Sequence, residues 1–106
     1  NLEVLNSEVF SDCTNLRKVK LNIKLKQIGD LAFYNCRALQ EVKMPMTLAV
    51  IGASAFENCR NLKKVEINEL IETIEDNAFS GCESLEMPYI PEGTEVGKNS
   101  FKGIRE

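Results

Sequence analysis

A strand-rich α/β-type solenoid of about four and a half stacked units is the fold class that this 106-residue sequence predicts. Three observations lead there. First, "IGDLAFYNCRALQEV" (28–42), "IGASAFENCRNLKKV" (51–65) and "IEDNAFSGCESLEMP" (74–88) are versions of one phrase, repeated at a step of 23 residues. Second, the apolar positions hold phase throughout the chain. Third, each copy is too small to bury its own apolar side, so neighbouring copies must bury it jointly.

The units run approximately over 5–27, 28–50, 51–73 and 74–96, with partial units at 1–4 and 97–106. Leu5, Ile28, Ile51 and Ile74 open them. Phe10, Phe33, Phe56 and Phe79 follow at the same step, as do Cys13, Cys36, Cys59 and Cys82. Leu16, Leu39, Leu62 and Leu85 come next, then Leu21, Met44, Ile67 and Ile90. A fifth unit begins with "VGKNSF" after one deletion, which brings Phe101 a residue early and puts Ile104 at the fifth Cys position.

Within a unit, "LQEVKM" (39–44) ends in the alternation of a half-buried strand, with Lys43 facing away from Val42. Stacked copies predict a parallel concave sheet with strands roughly 4.8 Å apart. A short helical or 3-10 turn is expected between one strand and the next copy. Ser7, Asp30 and Asp76 occupy a position suited to an N-cap, where Ala53 is the exception. Asp12, Asn35, Asn58 and Gly81 stand just before the Cys, where left-handed backbone could end that turn. Pro88 takes the place of the strand's inward Val and cannot donate to a ladder, so a short or distorted fourth strand is expected.

The phrase L-x-x-V/L-x-L/I/M followed by IG-x-x-AF-x-N-C resembles the BspA-type leucine-rich repeats across essentially the whole chain. Asn6 and Glu75 depart from it where Gly is usual. The resemblance implies a leucine-rich-repeat solenoid from surface proteins of host-associated bacteria and some protozoa. It implies an extracellular or cell-surface location and binding to host matrix proteins or other cells. The chain opens in the second half of a unit, because Leu2 and Leu5 match Leu25 and Ile28, and it stops at "FKGIRE". A segment of a longer protein is therefore expected.

Composition narrows the partners. A net charge of −3 gives no support to nucleic acid, which wants a basic surface. The longest apolar run is "LAVI" (48–51), far too short to insert across a bilayer. The cysteines stand 23 apart in a chain without His, unlike the close ligand pairs of zinc sites. Buried free thiols are the preferred reading, ahead of a disulfide or a metal. "GTEVGKNS" (93–100) misses the Walker spacing and puts Asn99 where Ser or Thr should follow Lys98. "EINELIETIED" (66–76) lacks the alternating ligands of a calcium loop and reads as a solvated face. No cofactor is called for, and no pair of groups is singled out for acid–base catalysis.

The resemblance to leucine-rich solenoids, which usually bind with the sheet face, implies a candidate ligand surface on the outward side of the strands: Arg17, Lys18 and Lys20; Gln40, Glu41 and Lys43; Lys63, Lys64 and Glu66; and Glu86, Met87 and Tyr89. Six of these are basic and three acidic, so the face carries +3 against −6 elsewhere. A non-enzymatic, adhesin-like protein-binding segment is the favoured function. A spacer array holding another domain is the alternative, and a part of an enzyme with catalysis elsewhere comes third.

Overall fold

Ile28, Ile51 and Ile74 are β-branched residues with no accessible surface, and each closes a two-residue strand. The computed structural model describes residues 3–104, so Leu2 lies outside the described residues. Among them run β1 (Val4–Leu5), β2 (Lys18–Lys20), β3 (Gln27–Ile28), β4 (Glu41–Lys43), β5 (Val50–Ile51), β6 (Thr73–Ile74) and β7 (Glu95–Val96). All pair in parallel. Five of them form one sheet in the order β1-β3-β5-β6-β7, while β2 and β4 form a second sheet.

The register carries the sequence period into space. Val4 pairs with Gln27, Gln27 with Val50 and Val50 with Thr73, but Thr73 pairs with Glu95, one residue early. The deletion has a local address. Lys26 and Gln27 N–H both donate to Glu3 C=O, and Ala49 and Val50 N–H both donate to Lys26 C=O. Glu72 and Thr73 N–H repeat the arrangement on Ala49 C=O. At the next turn Glu72 C=O receives Glu95 N–H at 3.0 Å, because the residue that would supply the second amide is the deleted one.

The expected helical turn is replaced by consecutive hydrogen-bonded turns, and no helix occurs among the described residues. Alternate amides explain why. Leu31, Phe33 and Asn35 N–H donate to Ala53, Ala55 and Glu57 C=O of the next unit, at 2.8–2.9 Å. The amides between them close local turns, Tyr34 to Leu31 C=O and Cys36 to Phe33 C=O. A helix needs every amide for itself; here half of them hold the stack. Asp12, Asn35, Asn58 and Gly81 are left-handed as expected, with φ of 60°, 60°, 63° and 77°. A second left-handed position four residues earlier, at Glu8, Leu31, Ser54 and Asn77, was not foreseen.

The supposed caps also act between units. Asp30 Oδ1 accepts Ala53 N–H at 2.9 Å, and Asp76 Oδ1 accepts Lys98 N–H at 2.8 Å. Glycine is required directly above such an aspartate. A Cβ on Gly52 would lie 2.7 Å from Asp30 Oδ1 and equally close to Asp30 N. Both features fail together at the exceptional unit, where Glu75 follows Ala53 at the corresponding junction.

Inside, Phe10, Phe33, Phe56, Phe79 and Phe101 stack with ring centroids 5.0–5.3 Å apart and planes within 16°. That spacing suits offset aromatic contact. Beside this column Cys36, Cys59 and Cys82 donate their thiols to Phe10, Phe33 and Phe56 C=O at 3.0–3.1 Å. All four cysteines are free; three are buried and Cys13 is partly so.

Candidate functional site

Val19 and Val42 turn inward from β2 and β4, which forces Lys18, Lys20, Glu41 and Lys43 out to solvent. Lys18 stands opposite Glu41, and Lys20 opposite Lys43. Arg17, Gln40, Lys63, Lys64, Glu66 and Tyr89 are exposed as well, so every residue assigned to this face from sequence reaches water. Lys18 Nζ lies 3.7 Å from Glu41, an exposed pair contributing about 0–1 kcal/mol.

The face is narrower than a regular ladder through four units. Gln40 N–H donates to Arg17 C=O at 2.8 Å and Leu21 N–H to Lys43 C=O at 3.2 Å. In the third unit the pairing is a single bridge, Glu41 to Lys64. In the fourth, Glu86 N–H reaches Lys63 C=O at 3.1 Å. Two residues on stands Pro88, which occupies the place of Val19, Val42 and Val65 and has no amide to offer. The thinning in unit three was not expected from sequence; that in unit four was.

Among the described residues, open clefts mark this surface at two places. One, of about 290 Å³, is lined by Lys18, Gln40, Glu41, Lys63, Lys64 and Glu66. The other, of about 370 Å³, lies between 64–67 and 86–89 and includes Val65, Met87, Pro88 and Tyr89. Lys64 and Glu66 line both, so the clefts adjoin. Arg17, Lys20 and Lys43 share the face without lining either. Val65, Ile67 and Pro88 are lining residues that sequence reasoning missed. Pro88 carried the usable signal, since a proline in a strand phase cannot donate to a ladder.

The buried thiols have a different chemistry. Burial, with Cys59 beside it, pushes the Cys36 pKa up to about 12. The neighbouring Cys82 thiol, together with burial, pushes Cys59 upward too. Both groups are held as thiols at neutral pH, and the thiolate is the reactive form.

The family described as "BspA type Leucine rich repeat region" matches in six copies over residues 1–106. The chain belongs to this family. It is similar to a leucine-rich cell surface protein of Faecalibacterium prausnitzii, at 32% identity and a TM-score of 0.88, over 96% of this chain and 29% of that one. It is similar also to a leucine-rich repeat protein of Bacteroides ovatus, at 28% identity and a TM-score of 0.75, over 95% of this chain and 32% of that one. The T. pallidum leucine-rich repeat protein shares the fold at 20% identity and a TM-score of 0.53, over 95% of this chain and 69% of that one. No curated protein matches the chain. This BspA-type chain thus spans under a third of each of the first two structures.

Proposed function

We propose that this BspA-type chain is a non-enzymatic, adhesin-like segment of a cell-surface protein, presenting its sheet face to a protein of the host or of another cell. The observation that carries the reading is the concentration of basic side chains on one exposed, cleft-bearing side. Arg17, Lys18, Lys20, Lys43, Lys63 and Lys64 outnumber Glu41, Glu66 and Glu86, which leaves that side at +3 in a chain whose net charge is −3. A field of that kind steers acidic partners and sets their orientation more than it adds affinity. The likeness to a leucine-rich cell surface protein supports the extracellular setting.

Surface plasmon resonance against purified extracellular-matrix and cell-surface proteins tests it. A ligand of the face should bind less tightly as salt rises, because exposed charges are screened over about 8–10 Å. Lys20→Glu, Lys43→Glu and Lys64→Glu together should abolish binding, whereas Lys24→Glu with Arg60→Glu should leave it intact. A ligand that ignores the first set and responds to the second places the site elsewhere.

A second reading, a spacer holding another domain at a distance, is favoured by the unbroken column of five phenylalanines. Absence of any ligand in the same screen would favour the spacer.

A further inference from the structure

We propose that the cleft between the third and fourth units seats an aromatic or long aliphatic side chain of an extended acidic peptide belonging to the partner protein. The peptide's carboxylates lie along the lysines of the preceding units. This rests on the sheet-face reading above and names the partner's chemistry.

The face changes character along the stack. In the first three units its outward strand residues are Arg, Lys, Gln and Glu; in the fourth they include Met87 and Tyr89. These are 55% and 77% exposed, so neither is used to cover the core. They flank Pro88, which lines the same cleft. A thioether adapts to irregular apolar shapes, and a tyrosine ring offers a flat apolar surface with a polar tip. Together with Val65 and Ile67 they make a slot suited to a large apolar side chain.

Charge sets the register. Glu66 and Glu86 outnumber Lys64 around the slot, whereas Lys18, Lys63 and Lys64 outnumber Glu41 and Glu66 in the first cleft, so a partner carboxylate favours the first cleft and the slot admits the apolar side chain. Lys64 lies where the slot meets the first cleft, Lys63 lines the first cleft, and Lys20 and Lys43 stand opposite each other further along the face. Acidic groups on the partner are attracted to this end. The adjoining clefts share Lys64 and Glu66, which makes one continuous track.

Length fits a short segment. Successive phenylalanine rings from Phe10 to Phe79 are 5.3, 5.0 and 5.2 Å apart. Crossing from the first unit to the fourth therefore takes roughly 15 Å, which an extended chain covers in about five residues.

A phage-displayed random hexapeptide library, selected on this protein, tests the inference. Enriched peptides should carry two or more acidic residues with an aromatic or long aliphatic residue at one end. A synthetic peptide of the enriched sequence should lose tenfold or more in affinity when that residue becomes Ser. It should lose as much against the Met87→Ser, Tyr89→Ser double variant, whose thermal melt should match the parent because both side chains are exposed. Against Lys43→Glu with Lys64→Glu, acidic selection should disappear. Failure to enrich any peptide, enrichment of basic peptides, or indifference to the Met87/Tyr89 variant overturns the proposal. Peptides that depend on Lys43 and Lys64 but ignore Met87 and Tyr89 would sink the slot and leave the sheet-face reading standing. Peptides that ignore both pairs would sink both.

Discussion

The turn side of each unit and its sheet side are built from the same repeat but follow different rules. On the turn side, Leu31, Phe33 and Asn35 bond to the next unit, as do Ser54, Phe56 and Asn58, and then Asn77, Phe79 and Gly81, all at 2.7–2.9 Å. The phenylalanine column repeats there with spacings that differ by only 0.3 Å, despite the deletion before the fifth unit. On the sheet side, a three-residue pairing between β2 and β4 shrinks to a bridge at Lys64 and opens at Pro88. The difference shows where stability and variation are each housed. Backbone bonds repeated at every unit and a column of identical rings hold one side, so the other is free to change its residues from unit to unit.

That contrast can be broken most directly at Phe56. Phe56→Ala removes a fully buried ring from the middle of the column and should cost about 3–5 kcal/mol, read as a fall in the urea midpoint. A cost no greater than that of a sheet-face substitution would show that the column is not the stabilising side.

Gly52→Ala should cost about 1–3 kcal/mol by forcing atoms apart at the Asp30 contact. Thermal melts of this variant and the parent would measure it. An unchanged melt would mean that the junction can shift without loss.

Alkaline titration probes the cysteines beside the column. The Cys36 pKa is raised in the folded state to about 12, so folding holds on to a proton that the unfolded chain releases. The thiol's contribution is fully present below about pH 8.5, its unfolded pKa, and is lost as pH rises towards the folded value. In that window the urea-derived stability should fall by about 1.4 kcal/mol per pH unit for this thiol. Cys36→Ala should remove that part of the slope, and an identical slope in the variant would assign the pH dependence to other groups.

The smallest effect belongs to the face itself. Lys43→Glu should change stability by no more than about 0.5 kcal/mol, since its side chain points into water from β4. A drop of several degrees in melting temperature would show that the sheet side carries more of the fold than its short pairing suggests.

Much of the molecule was legible because one period controls it. Phe33, Phe56 and Phe79, the buried cysteines and the left-handed Asn35 and Asn58 could all be placed from spacing and residue type. So could the weak strand at Pro88. The five-stranded sheet through Ile28, Ile51 and Ile74 is not legible in the sequence, because two-residue strands leave no alternation to read. Asp30 reads from sequence as a cap for its own turn, because its real partner, Ala53, is a full unit away in sequence.

By itself, then, the sequence determined the stacking, the in-phase core and the exposed basic strand positions, since each follows from residues repeating at a constant step. Tertiary structure alone decided how the backbone amides divide between local turns and the next unit. It also decided which exposed residues share a cleft, bringing Lys64 and Glu66 beside Met87 and Tyr89. The physical reason is that both depend on the lateral offset between neighbouring units. That offset is set by packing and hydrogen bonding across the stack, and no single copy of the repeat contains it.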